Sequence, residues 1–484
     1  MKLADLAAGF PVTPPGANPE ITGITDDSRR VTPGSLFVAV PGTAFDGHAF
    51  VADAMTRGAG AIVLESRGAE PAGLPFIRVA SSRRALAELA ARFYRHPDRE
   101  LTLIGFTGTF GKTSTSEILR AILDAAGGQT GVLGSLGARY RGFHQPAGEL
   151  TTPAPVELHR ALRGVRDAGA AAVIMEVTSH ALRLGRVEGL KFDGGLLAAI
   201  MPGEHTDFHR TYESYVGAKR LFLDYLRPGA VLAYDGDNHA ARRLAADARD
   251  ARPAGFSLGG RGADLQFYDV LLDHRGAAFS IAGTLATQAP GARLGSRLLG
   301  RGHLRNVALA LTYALAAGVP VDMAASVLPG LRPLRRRMEQ YDIGGRTVLD
   351  DTAAHPDSFR STFEVADLLP HDTLALVYAV RGNRGADINR RNADALAELA
   401  AVHGSEVMIV TASADAAAEK DRATADEIDA ARQAFTDRGV RFVWHDSLRT
   451  ALGDALARTR AGDLLVLVGA QGMDQGKALL EESI

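Results

Sequence analysis

The chain opens with short apolar runs broken by turns. Residues 35–40 (Ser-Leu-Phe-Val-Ala-Val) and 61–64 (Ala-Ile-Val-Leu) lie among turn signals such as Pro33-Gly34 and Pro41-Gly42, a pattern that predicts brief strands in a first stretch reaching about residue 98. A second stretch begins with the strand-like residues 101–106 and a glycine-bearing turn. An amphipathic helix follows, with Ile118, Leu119, Ile122 and Leu123 on its apolar face and Gly127-Gly128 at its end. Further strands are predicted at 172–177 and 195–200, and a helix from about Thr211 to Leu226. The longest apolar run, 307–321, is interrupted by Tyr313 and Gly318 and contains Pro320; it reads as a buried helix, too short to cross a bilayer. From about Arg335 onward, strands predicted at 347–349, 374–380, 407–411, 440–443 and 464–468 alternate with helical segments. Such alternation predicts parallel α/β sheets in the second and third stretches.

Length turns these stretches into domains. A chain of 484 residues exceeds one comfortable core, and the changes of pattern place domains at 1–98, 99–333 and 334–484. Lys and Arg number 54 against 56 Asp and Glu, so no global field steers the protein to nucleic acid or to an anionic membrane. Any phosphate recognition is therefore local. The absence of cysteine excludes disulfides, thiolate zinc sites and thiol catalysis. Asp5 stands where a signal peptide would begin its apolar stretch, and a cytoplasmic location is expected.

The candidate chemistry begins at Thr107-Gly108-Thr109-Phe110-Gly111-Lys112-Thr113. A strand, a glycine turn and a helix in this order point backbone N–H groups of Gly108, Thr109, Gly111 and Ser114 at phosphate oxygens. Lys112 then neutralises the β/γ-phosphates and the Thr113 hydroxyl is placed to ligate Mg²⁺. The full phosphate-loop spacing asks for glycine at 106, which is Phe. Glu176, with Ser179 and His180 after it, falls at the carboxyl end of a predicted strand, where ligands of parallel sheets bind. It suits either a Mg²⁺ ligand or a helix cap. His205 and His209 are four residues apart, the spacing of a zinc pair on a helix; Pro202-Gly203 favours a loop with solvated histidines instead. Lys219 lies one helical turn from Tyr215 and Phe222. Partial desolvation there lowers a lysine pKa, and a neutral amine adds CO₂ to become a carbamate, an oxygen ligand.

In their order these residues resemble the Mur ligases, the tripeptide-synthetase branch above all, over most of residues 20–340. The carriers are Asp27-Ser28-Arg29-Arg30 through Ala39, Asp46-Gly47-His48, Thr151-Thr152-Pro153, the run Met175 to Val187, Gly300-Arg301 with Asn306, and Arg337-Met338-Glu339. The resemblance implies an α/β, three-domain architecture: a UDP-sugar-binding domain, a central ATPase domain with a P-loop parallel sheet, and a Rossmann-like domain for the incoming amino acid. It implies ATP and two Mg²⁺ ions as cofactors, with Glu176, His205, Thr113 and a carbamylated Lys219 at the metals. Asn306, Arg337 and Asp351 fall on the ATP side, Ser28 at the uridine, and Thr151, Thr152, Ser179 and Arg186 on the muramoyl peptide. Lys112, Lys219, His205 and Glu176 become the catalytic set. The implied partners are small molecules, a nucleotide-sugar peptide and an amino acid; oligomeric state is not legible.

Departures from the family pattern bear on the amine. Phe110 replaces the usual asparagine of the loop, and residues 199–204 replace the stretch before the metal histidine. In Asp351-Thr352-Ala353-Ala354-His355-Pro356-Asp357 the histidine is displaced by one position. Thr411-Ala412-Ser413-Ala414-Asp415 stands where the family carries the Asp-Asn-Pro-Arg element for diaminopimelate, and residues 469–474 lack the terminal Gly-Lys-Gly-His-Glu. Loss of that arginine removes a bidentate carboxylate partner, so lysine, ornithine or another amine is expected rather than diaminopimelate. Three other readings stay open: a divergent ligase joining an amino acid to a different carboxylate, a catalytically silent nucleotide-binding partner protein, and a zinc hydrolase resting on His205 and His209.

Overall fold

The structure, a computed structural model, describes residues 1–42, 45–65, 68, 70–203, 208–260 and 262–483. Three sheets organise them. The first comprises β1 (Val12–Thr13), β2 (Gly23–Thr25), β3 (Ser35–Val38), β4 (Ala61–Leu64) and β5 (Phe76–Arg78), in the order β1-β5-β4-β3-β2. β3 and β4 are buried along their whole length, as the short apolar runs predict. The helix Ser82–Phe93, capped by the Ser81 hydroxyl, covers this sheet with Leu86, Leu89 and Ala90.

The second sheet contains β6 (Thr102–Thr107), β7 (Thr130–Gly134), β8 (Gly137–Tyr140), β9 (Phe143–Gln145), β10 (Ala172–Glu176), β11 (Phe192–Leu197), β12 (Leu226–Asp235), β13 (Arg252–Ser257), β14 (Leu265–Asp273), β15 (Gly276–Ala282) and β16 (Arg293–Ser296). Its order is β16-β15-β14-β13-β12-β11-β6-β10-β7-β8-β9. At the centre β6 lies between β10 and β11, parallel to both. That placement sets the ends of β6 and β10, and hence the glycine turn and Glu176, side by side at one carboxyl edge. Close packing makes β11 depend on glycine: a Cβ at Gly194 would come within 1.9 Å of the Tyr313 hydroxyl.

The third sheet is β17 (Glu339–Ile343), β18 (Arg346–Asp350), β19 (Leu374–Ala379), β20 (Ser405–Thr411), β21 (Val443–His445) and β22 (Leu464–Val468), ordered β17-β18-β22-β19-β20-β21. All but the β17–β18 hairpin is parallel. The helices Pro356–Ala366, Ala386–Val402 and Ala425–Asp437 bury Phe359, Phe363, Leu396 and Phe435 on it. The chain divides into two compact units: Met1–Gln266 with Gly283–Ala286 and Leu309–Ala324, and Phe267–Ala282 with Thr287–Ala308 and Ala325–Ile484. Each is described by itself.

Two predicted elements move. The strand expected at 440–443 forms at Val443–His445. The helix expected over 211–226 ends at Arg220, tightens into a 3₁₀ turn over Leu221–Tyr225, and passes directly into β12. Among the described residues no helix is long and apolar enough to cross a membrane.

Candidate active site

The glycine turn connects β6 to the helix Lys112–Ala125. Gly108 has φ +153°, and a Cβ there would lie 2.6 Å from that of Ala198 on the adjacent segment. Gly111 has φ +81° at the N-cap of the helix, a left-handed conformation that glycine adopts without a Cβ clash. The turn is anchored to the segment after β11, where Thr109 N–H donates to the Ala199 carbonyl at 2.9 Å. Met201 N–H in turn donates to Thr109 Oγ1, also at 2.9 Å. Lys112 Nζ folds back onto the carbonyls of Gly108 (3.0 Å) and Thr109 (3.1 Å). Thr113 and Ser114 occupy the first helical turn, both largely buried, where unpaired N–H groups and the helix dipole favour an anion.

Lys219 reaches the same turn from the helix Tyr212–Arg220. It is 2% exposed. Its Nζ donates to the Gly108 carbonyl at 2.9 Å and lies 4.7 Å from the centroid of the Tyr215 ring. The Tyr215 hydroxyl is 3.1 Å from Thr109 Oγ1, so one helix grips the turn through both a cation and a phenol. Sequence reading treated Tyr215 only as apolar cover; its hydroxyl contact spans more than a hundred residues.

Glu176 ends β10 and is 3% exposed. Its carboxylate accepts from Ser135 N–H and the Ser135 hydroxyl, each at 3.1 Å, and leaves no room for a side chain at position 134. The bland expectation of a helix cap fails, because Thr178 caps the helix Ser179–Arg183. Ser135, absent from the expected set, also sits 3.1 Å from Thr151 Oγ1. Thr152 is fully buried, donates to the Glu176 carbonyl at 3.0 Å and accepts from Thr178 N–H at 3.0 Å. Arg186 Nη1 points at the Thr152 carbonyl, 3.4 Å away. Glu176, Thr151, Thr152 and Arg186 thus form one linked cluster.

Other expected residues separate from it. Ser179 is 1% exposed, with its hydroxyl 3.0 Å from His209 Nε2. His209, read from sequence as a solvated loop residue, is 4% exposed and packs on Tyr215 and His180. Burial against Ser179 and two rings corrects that expectation. His205 lies outside the described residues. Ser28 is buried beside Asp53, whose carboxyl it holds below the usual range by a hydrogen bond. Asn306, Arg337 and Asp351 belong to the second unit. Asp351 there accepts from Thr362 Oγ1 at 2.9 Å and Met338 N–H at 3.3 Å, while His355 caps the helix Pro356–Ala366. Among the described residues no group of three His, Asp or Glu side chains is arranged to hold a metal ion.

Comparison with known proteins agrees with this geometry. Residues 106–314 match the profile of the Mur ligase middle domain, 336–471 the Mur ligase glutamate ligase domain, and 20–94 the Mur ligase family catalytic domain. A UDP-N-acetylmuramoyl-L-alanyl-D-glutamate–2,6-diaminopimelate ligase of Geobacter sulfurreducens is 34% identical, over 97% of this chain and 94% of that protein. The chain belongs to the Mur ligase family. As a Mur ligase it is an ATP-dependent, ADP-forming ligase of peptidoglycan synthesis that joins an acid to an amino acid. A UDP-N-acetylmuramyl-tripeptide synthetase of Roseiflexus is likewise 34% identical, over 95% of this chain and 91% of the other. MurF from Acinetobacter baumannii shares the three-domain Mur ligase fold at TM-score 0.68 and 18% identity, over 99% of this chain and 96% of that one. The expectation of an amine other than diaminopimelate gains no support, since several of the relatives are named as diaminopimelate-adding ligases.

Proposed function

We propose that this Mur ligase activates the terminal carboxylate of a UDP-N-acetylmuramoyl-dipeptide and couples it to a diamino acid in the cytoplasm, with domain boundaries near residues 98 and 333. The observation that carries the reading is the convergence of Lys112, Lys219 and Tyr215 on one glycine turn at the carboxyl edge that also holds Glu176.

In this reading the carboxylate attacks the γ-phosphorus of ATP, forming the acyl phosphate and releasing ADP. The amine attacks the acyl carbon and phosphate leaves. Lys112 moves from its backbone carbonyls to the phosphates, and the N-terminal turn at Thr113 and Ser114 receives them. Thr151 orients the carboxylate beside Glu176, and Arg186 holds another part of the same substrate. The oxygen donors Thr113 and Glu176 fit Mg²⁺, a hard cation. Lys219 as an ammonium does not, and would join the ligands, with His205, as a carbamate. Held by these residues, Mg²⁺ would offset charge on the transferring phosphoryl group. Asn306, Arg337 and Asp351 are the residues that the family resemblance assigns to the nucleotide.

Diaminopimelate is the first amine to try, because it is named for relatives at 34–38% identity. Lysine or ornithine is the second reading, favoured by the absence of arginine from residues 411–415 and 469–474. Asp415, itself a carboxylate that accepts from Ser447 and from the N–H groups of Leu448 and Arg449, offers no substitute cation. ADP formation should require the muramoyl dipeptide and one of these amines together. ADP formed at the same rate without either substrate would refute the ligase assignment to this pair.

A further inference from the structure

The helix Ser82–Phe93 presents its first residues to the loop that carries Arg186. Arg84 Nε lies 3.6 Å from Glu188 Oε1, which fixes that meeting. One residue earlier, Arg83 reaches the Pro41 carbonyl with Nη2. Two residues before Glu188, Arg186 lays Nη1 against the Thr152 carbonyl. The Arg84–Glu188 contact brings the segments of Arg83 and Arg186 together, and burial first, then the charge of Arg83, pulls the Arg186 guanidinium below its ordinary pKa. Three other arginines of this region have acids: Arg84 has Glu188, Arg30 has Glu157 and Arg78 has Glu70. Neither Arg83 nor Arg186 forms an ion pair with a carboxylate among the described residues.

Two half-buried guanidiniums held together without a counter-ion oppose folding unless an anion joins them. Their position says which anion. One contacts the turn at Pro41 in the first sheet's domain, the expected nucleotide end. The other contacts Thr152, the expected peptide end. In a nucleotide-sugar peptide the group between those ends is the diphosphate, which forked guanidiniums recognise well. We propose that Arg83, together with Arg186, binds the diphosphate of the acyl substrate. This rests on the nucleotide-sugar reading above.

Calorimetric titration of the full chain with UDP and with uridine 5′-monophosphate tests it, on wild type, Arg83→Ala and Arg83→Lys. Arg83→Ala should weaken UDP binding on the order of 10- to 100-fold, as expected for a hydrogen bond to a charged group. The loss should be smaller for the monophosphate, and Arg83→Lys should recover part of it. Affinity for a non-hydrolysable ATP analogue should not change, which establishes that the variants are folded. Equal UDP affinity in wild type and Arg83→Ala would overturn the inference alone. Wild-type protein binding neither UDP nor the UDP-muramoyl dipeptide would overturn the substrate reading, and this inference with it.

Discussion

Two ammonium groups, on Lys112 and Lys219, donate to the single carbonyl of Gly108. Like charges that close oppose each other, and in the proposed reading a bound phosphate draws Lys112 away from that carbonyl. Lys112→Ala should therefore lower kcat/KM for ATP by about a hundredfold or more, measured by steady-state ADP release. Lys219→Ala should abolish turnover. ¹³C-bicarbonate should label wild-type protein with a carbamate resonance that the variant lacks; identical spectra would remove the carbamate role. Tyr215→Phe is the milder case. It deletes only the hydroxyl contact to Thr109, leaving the Met201 N–H donated to that oxygen. A loss of about 1 kcal/mol, roughly fivefold in ATP-analogue affinity, is expected by titration.

Elements carry the second set of consequences. Between the helix Gly300–Ala316 and β17, Arg336 holds φ +54° and is 3% exposed. Its guanidinium bonds Asp350, Asp474 and the carbonyls of Asp351, Gly469 and Ala470. It thereby pins the start of the last domain to the ends of β18 and β22. Arg336→Met leaves Asp350 buried without its cation, and should lower unfolding stability by about 3–5 kcal/mol in denaturant titration. A pH effect belongs to the helix Pro155–Asp167, where burial pulls His159 from 6.5 to about 4. The folded pKa lies below the unfolded one, so this stability is present above about pH 6.5 and is lost as pH falls towards 4. It amounts to about 3 kcal/mol, and His159→Phe should flatten that part of the stability–pH curve.

At the same scale lies the measure of what the sequence reveals. β6, β10, the Lys112–Ala125 helix and the strands β18, β19, β20 and β22 are legible, since each carries a buried apolar run or a helical stripe. β8, β9 and β12–β16 are not, because short strands and strands with exposed or half-polar stretches carry no strong period. β11 was placed three residues late, its glycines being demanded by Tyr313 and by Phe222 across the core. Among the candidate site residues, Lys112 stands out through the loop spacing, whereas Glu176 and Lys219 gain their assignment from the family resemblance. Ser135 on Glu176 and His209 on Ser179 join positions 41 and 30 residues apart, and no local pattern announces such pairs.

For the whole molecule, a net charge of −2 gives no attraction for two anionic substrates. In the proposed reading, recognition falls to a few local cations: Lys112 at the nucleotide, and Arg186 with Arg83 at the acyl substrate. The central claim is that a carboxylate is activated by ATP and passed to an amine. The most direct measurement supplies the full chain with ATP, Mg²⁺ and UDP-N-acetylmuramoyl-dipeptide carrying ¹⁸O in its terminal carboxylate, against diaminopimelate, lysine and ornithine. Products and phosphate are then read by mass. The account predicts an amide with one of these amines and one ¹⁸O atom transferred to the released phosphate. No amide with any amine, or an amide with unlabelled phosphate, would contradict it.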